Sequence, residues 1–352
     1  MQRQAGCIPP ILFQLKRALQ LVLAALLVTG FAVAQGAPSF LRDLNDSDVA
    51  SLKVHAEQGD PEAQFEVALA YAYGAAVPRN DLSAAQWMRK AANAGYAPAM
   101  ANLGLMYQEG RGVAKDTAAA VQWMQKAADQ RNSDGEFFLA HTYEAGIGVP
   151  MDAPKAAEFY RRALEDGNIA VSVNLGLMYL EGNGVPKDLK EAARLFQKGA
   201  DAGLSKAETN LGRMYYDGNG VEQDYSKAIL WLMRAADQGA SVAQSNLAII
   251  YLEGRGVKRD PVEAYKWFLI ARDGDSAATQ AIIVLNRELT LAQQAEGERR
   301  ARAWLNAHNP DDDMAQQVLS AVQESEQKDQ VHKPMTDPDT PGVNSFPAPN
   351  QH

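Results

Sequence analysis

Cysteine is nearly missing from this chain of 352 residues: Cys7 is the only one. It lies upstream of an apolar run from Ala18 to Val33, which follows Lys16 and Arg17, and no acidic residue occurs before Asp43. Ala32-Val33-Ala34 supplies the small-x-small cleavage pattern, so residues 1–34 read as a secretory signal peptide cut before Gln35. The run is shorter than the roughly 20 residues of a spanning helix, which argues against an uncleaved anchor. The exported chain then has no cysteine at all. Disulfides, thiolate metal sites and thiol nucleophiles are excluded, and an acylated N-terminal cysteine is too, because Cys7 precedes the run. Histidine is scarce: His55, His141, His308, His332 and His352 are scattered, and no His-Glu-x-x-His spacing supports zinc. A basic stripe is also lacking. The formal charge of −9 falls to −12 once the leader is removed with its three cations, Arg3, Lys16 and Arg17. Such a chain is a poor nucleic-acid binder, and nothing in it would hold it in a membrane after cleavage.

What the sequence has in abundance is itself. One 36-residue block is written six times without insertion, starting at Pro61, Ala97, Ser133, Ile169, Ser205 and Ser241. Block position 11 is always Tyr (Tyr71, Tyr107, Tyr143, Tyr179, Tyr215, Tyr251), position 14 always Gly, position 17 always Val and position 24 always Ala. A fixed period of this length means stacked units that bury their apolar faces against their neighbours. Residues 61–276 therefore read as one array without an interior boundary.

Each block reads as helix, loop, helix. Apolar residues at positions 3, 7, 8 and 11, as in Ala99, Leu103, Gly104 and Tyr107, make one helical stripe. Gly at position 14 stops that helix, because it takes the left-handed conformation cheaply. Asp at position 20 (Asn80 in block one) sits where the second helix begins and can cap it, for about 1 kcal/mol. Position 27 holds Trp87, Trp123, Phe159, Leu195, Trp231 and Trp267. These read as a core wedge, in which burial of Trp231 would make Trp231→Ala cost about 3–5 kcal/mol. Asn at position 6 (Asn102, Asn174, Asn210, Asn246) reads as a repeated internal hydrogen-bonding device.

Leu-Gly at positions 7–8, Tyr at 11 and the later Ala, apolar, Ala series resemble the tetratricopeptide pattern, with a loop four residues longer. The period and the run Asn174-Leu175-Gly176-Leu177-Met178-Tyr179-Leu180-Glu181-Gly182-Asn183-Gly184-Val185 resemble the Sel1-like repeat family of that superfamily. The resemblance covers residues 61–276. It implies an all-α, right-handed α-solenoid that serves as an adaptor or scaffold, often in bacterial envelopes. Some secreted members with a cysteine pair in each repeat are connected with penicillin binding and β-lactam hydrolysis, and the lack of such cysteines weakens that transfer. Departures are local. Block three has Gly135 and Phe138 at positions 3 and 6, and Arg131 replaces the terminal Gly of block two, which predicts a distorted junction with block three. Residues 35–60 read as an N-terminal cap helix and 277–308 as C-terminal capping helices, with a capping box at Thr290-Leu291-Ala292-Gln293. In 309–352, Asp311–Asp313 open a short helix before a disordered Pro-rich tail.

No acid, base and nucleophile converge, so no catalytic residue, cofactor or metal is expected. The Gly-x-Gly loops lack the strand and Lys-Ser/Thr of a phosphate cradle. Asp217–Asp224 lacks the ligand register and terminal Glu of a calcium loop. What remains is the surface. By the tetratricopeptide analogy, positions 2, 5, 9, 12 and 13 of the first helices line a concave groove, and they vary while the frame does not. Phe65, Leu69, Gln108, Phe137, His141, Leu180, Arg213 and Tyr216 are the candidates for holding a peptide or helix of a protein partner. The sequence thus points to an exported, non-enzymatic scaffold with an envelope protein as partner. A secreted factor that binds a host protein or glycan is the alternative, with an enzyme acting on peptidoglycan or β-lactams behind it.

Overall fold

In this computed structural model residues 45–308 are described; the expected signal peptide, the helix after Asp311 and the tail lie outside them. Among the described residues there are 15 α-helices, one 3-10 turn and no strand. Helix α1 (Asp46–Glu57) precedes the blocks. Five helix pairs follow: α2 (Pro61–Tyr73) with α3 (Asp81–Asn93), α4 (Ala97–Glu109) with α5 (Thr117–Asp129), α6 (Ser133–Ala145) with α7 (Ala153–Glu165), α8 (Ser172–Glu181) with α9 (Leu189–Asp201), and α10 (Ser205–Asp217) with α11 (Tyr225–Asp237). Block six supplies α12 (Ser241–Glu253) and α13 (Pro261–Ala271), and α14 (Ser276–Glu288) and α15 (Leu291–His308) close the described chain. The protein is an all-α repeat solenoid.

The loop inside each block follows from three backbone devices. The glycine at position 14 is left-handed, as at Gly110 with φ +77° and Gly182 with φ +79°. The N–H at position 20 donates to the carbonyl of the invariant Tyr at 2.9 Å in every block, from Asn80 to Tyr71 through Asp260 to Tyr251. The side chain at position 20 then accepts from the first-turn amides of the second helix, as Asp116 does from Ala119 at 2.9 Å. The second glycine of the loop has a different task. A Cβ on Gly184 would lie 2.3 Å from the backbone of Ala153, and one on Gly220 2.1 Å from Leu189 O. In blocks two to five the loop therefore rests directly on the residues that open the second helix of the preceding block. This contact tolerates no inserted residue, which accounts for the unbroken 36-residue period.

The core of the first unit lies between the helices of each pair and between successive pairs. Position 28 is buried throughout it, whereas position 27 is buried at Phe159 and Leu195 and only half-buried, packed against the core, at its tryptophans. Met88, Met124, Tyr160, Phe196 and Leu232 are all buried, and Met124, Phe196 and Leu232 press on the glycine at position 8, where a Cβ would approach to 2.7–2.8 Å. The expected tryptophan wedge is thereby corrected. Trp87, Trp123 and Trp231 are half-buried, because position 27 is turned about 100° away from position 28. Each carries a cation one turn on: Lys90 lies 3.7 Å from the Trp87 centroid, Lys126 4.1 Å from Trp123 and Arg234 4.7 Å from Trp231. Only Trp267, at 1% exposure, fits the original expectation among these four.

Two further expectations change. The described residues form two compact units, 45–243 and 244–308, so the array does have an interior division. In the second unit α13 is covered by the closing helices. Trp304 meets Trp267 edge-on at 5.5 Å, Gly297 lets α15 approach Tyr265, and Arg300 bonds Asp260 and Glu263 at 3.1 and 3.0 Å. The Thr290–Gln293 capping box forms, with reciprocal bonds of 3.0 and 3.3 Å. Arg131 does not distort its junction: it takes a left-handed φ of +58°, and its guanidinium bonds Asp166 at 2.5 Å. The irregular junction is one block later, where Asn168 makes no capping bond and Ile169–Val171 wind as a 3-10 turn.

Two comparisons test this packing by urea denaturation. Gly184→Ala is expected to cost about 2–4 kcal/mol, from backbone overlap added to left-handed strain. Gly203→Ala, also left-handed but with nothing within 4 Å, should cost only about 1 kcal/mol. Leu232→Ala, at a buried site, should lose about 2–5 kcal/mol, and Trp231→Ala beside it less than that.

Candidate partner-binding face

Three of the eight expected groove residues belong to the core. Phe65, Leu69 and Phe137 are 9%, 2% and 8% exposed. Phe65 packs on Tyr96 at 5.4 Å, and Phe137 packs on Phe138 and Tyr160 at 5.6 and 6.1 Å. An aromatic ring at position 5 turns into neighbouring apolar side chains and fills the interior. The other five keep contact with solvent. Gln108, His141, Leu180 and Tyr216 are half-buried and Arg213 is exposed, 3.7 Å from Asp217. Gln108 accepts from the Thr142 hydroxyl at 3.4 Å, and Tyr216 meets Tyr225 edge-on at 5.5 Å. Leu180 and Leu177 lie half-buried over the cluster of Phe196 and Leu211. The accessible face is therefore a narrower strip than the sequence suggested, richest from α6 to α10.

Beside this strip lies a polar constellation that the sequence reading missed. The buried Tyr160 donates its phenol to Glu144 Oε2 at 2.7 Å, and Asn174 Nδ2 donates to Tyr160 Oη at 3.3 Å. Burial, with the Glu144 carboxylate adding to it, holds the Tyr160 phenol well above its usual range. A signal was present: Tyr160 is the one hydroxyl-bearing residue in a position-28 column otherwise made of Met, Phe and Leu. The expected role of the position-6 Asn is seen at Asn102 and Asn210, which donate to the carbonyls of Pro98 and Lys206 at 2.9 and 2.8 Å.

Two carboxylates are sealed inside the first unit. Glu136 meets Arg162 at 2.7 Å, and that guanidinium also bonds Ala128 O at 2.9 Å. Glu208 meets Arg234 at 3.0 Å and Gln238 at 2.7 Å. Burial pushes Glu136 up to about 7; the neighbouring Asp166 adds to the rise and Arg162 opposes it. Glu208 is raised for the same first reason, against the pull of Arg234. Among the described residues no three His, Cys, Asp or Glu side chains group as metal ligands, and no helix is long and apolar enough to cross a membrane.

Fold and face together define a helical repeat array with a variable strip on an invariant frame. The Sel1 repeat matches residues 61–96, 97–132, 133–168, 172–204, 205–239 and 241–276, and the chain belongs to the Sel1 repeat family. Its fourth match starts after the 3-10 turn of block four. Among solved structures the chain is similar to a Sel1 repeat protein from Oxalobacter formigenes, with 33% identity and a TM-score of 0.58 over 64% of this chain and 90% of that one. It is also similar to a protective antigen present in uropathogenic Escherichia coli strains that displays an SLR fold. There the identity is 29% and the TM-score 0.65, over 91% of this chain and 68% of that one. No curated protein matches the chain. Sel1 repeat proteins are generally non-enzymatic scaffolds for protein interaction.

The buried glutamate gives a pH prediction. In the unfolded chain its carboxyl titrates near about 4.3, well below its folded value. Between the two the folded state holds the extra proton, so this group's contribution falls as pH rises from about 4.5 to about 7. Glu136→Gln should flatten that slope, which urea midpoints measured at pH 5 and pH 8 will show.

Proposed function

We propose that the chain is an exported adaptor that binds a peptide or helix of a protein partner in the bacterial envelope. The binding face is the strip of Gln108, His141, Leu180, Arg213 and Tyr216. The observation that carries this reading is the division of labour along the first helices. The packing positions 3, 7, 8 and 24 keep small or apolar residues in every block and are buried, whereas these five differ from block to block and reach solvent. A half-buried leucine and tyrosine beside an exposed arginine make the kind of anchor that dominates protein interfaces. Export is carried by the Ala18–Val33 run and its cleavage pattern, and N-terminal sequencing of the mature protein should begin at Gln35.

A second reading draws on the likeness to the protective antigen of uropathogenic Escherichia coli, which extends over 91% of this chain. It makes the chain a secreted factor that meets a host protein or glycan with the same strip. Fractionation separates the two: periplasmic protein supports the adaptor, and protein in the culture medium supports the secreted factor.

The test of the strip is affinity capture from detergent-solubilised envelope, with residues 35–352 as bait. A Leu180→Ala, Arg213→Ala, Tyr216→Ala variant with unchanged melting is expected to lose its partner by at least about tenfold in affinity. Equal capture by wild type and variant would place binding elsewhere.

A further inference from the structure

Cations meet the position-11 tyrosines in two different ways. Tyr143 and Tyr215 are covered from within their own blocks, by Lys155 at 4.2 Å and Lys227 at 5.2 Å. Tyr107 and Tyr179 instead receive an arginine from the preceding block. Arg89 Nη2 donates to Tyr107 Oη at 2.8 Å, and Arg161 Nη2 donates to Tyr179 Oη at 3.3 Å. Neither arginine has a carboxylate partner among the described residues. A guanidinium carries five N–H donors, so most of the hydrogen-bonding capacity of each remains open, and the tyrosine fixes where it points.

Around the first of these pairs lies an open recess of about 620 Å³, lined by Arg89, Tyr107, the loop from Gly112 to Asp116 and the start of α5. Lys115 stands in its wall as a second cation without a carboxylate partner. The one acid in the wall, Asp116, is committed to the amide of Ala119 at 2.9 Å. The side of Tyr107 and Val113 offers apolar surface for a methylene stem. Two blocks on, the same residue types return in register. Arg161 and Tyr179 are followed by Lys187 at the position of Lys115, and Asp188 is committed to the amides of Lys190 and Glu191 at 3.0 and 3.1 Å. Blocks two and four carry Gln125 and Gln197 at the arginine position, each bonded to an aspartate on its own helix at 2.8 and 2.7 Å.

We propose that Arg89–Tyr107–Lys115 and Arg161–Tyr179–Lys187 are paired seats for two acidic side chains of one extended partner segment. The inference rests on the reading of the chain as a protein-binding scaffold and adds a second surface to it. An exposed arginine with free donors accepts a carboxylate bidentately. Two discrete seats in a chain of net charge −9 suit a short acidic segment and disfavour a long polyanion. Neighbouring packed helices lie about 8–10 Å apart, which puts the two seats on the order of 20 Å apart. An extended chain covers that distance in about six residues.

The test is fluorescence anisotropy on the mature protein with a labelled Ala/Ser peptide that carries two glutamates about six residues apart. Wild type is expected to bind it in a salt-sensitive way and to ignore the matching glutamine peptide. Arg89→Gln or Arg161→Gln should each weaken binding about tenfold, and the double variant should abolish it. Both sites are on the surface, so unchanged helicity and melting are expected and serve as the folding control. Equal binding of the glutamate and glutamine peptides, or by wild type and double variant, overturns the proposal. Complete displacement by millimolar inorganic phosphate, or tighter binding of a single-stranded oligonucleotide, overturns the peptide assignment. Envelope capture runs alongside: a double variant that fails with the peptide but keeps the partner lost on changing Leu180, Arg213 and Tyr216 shows the two surfaces to be separate. If wild type binds no acidic peptide yet still captures that partner, this inference falls and the scaffold reading stands.

Discussion

Everything in the array depends on a loop that cannot change length. The tyrosine carbonyl fixes the start of the second helix from below, through the amide at position 20. The second glycine fixes the loop against the helix of the block before, at a distance that no side chain could share. The first contact sets the shape of a block, and the second sets the step between blocks. Because both are backbone contacts, side chains elsewhere are free to vary without altering the step. This separation of frame from surface lets one helical unit be reused with different chemistry on its exposed face.

Features that depend on local backbone chemistry were legible in the sequence. A glycine that must end a helix and an aspartate that must cap one announce themselves at fixed offsets, and Gly110 and Asp116 act as expected. The Thr290 capping box was readable for the same reason. Facing was harder to read. Positions 27 and 28 are adjacent apolar columns, and the sequence favours the tryptophans because they are larger. The structure buries the Met, Tyr, Phe and Leu of position 28, since those side chains point at the glycine of the facing helix. Phe65, Leu69 and Phe137 were misplaced by the same kind of error. A variable apolar residue on a first helix can look outward or along the array, and only the neighbouring rings of Tyr96 and Tyr160 decide it.

The polar groups add a slower rhythm to the 36-residue frame. Buried glutamates occur at position 4 of blocks three and five, and the cross-block arginines come from blocks one and three. Gln125 and Gln197 occupy the arginine position in blocks two and four. Chemistry is thus distributed over pairs of blocks, although the fold is built from single ones. Arg131 illustrates the tolerance of the frame. A bulky cation occupies a left-handed position that is glycine in four other blocks, and an ion pair to Asp166 accompanies it.

The contact of each loop with the preceding helix also has a direction. Gly112 leans on Asp81, Gly148 on Thr117, Gly184 on Ala153 and Gly220 on Leu189. In each case a loop meets the helix that precedes it in the chain, so the contacts run in one sense along the sequence. A chain made from its N-terminus presents these surfaces in the order in which they are used. In an array held by such nearest-neighbour contacts each block is stabilised by the blocks beside it, so a block once formed offers its surface to the next and structure can spread along the chain.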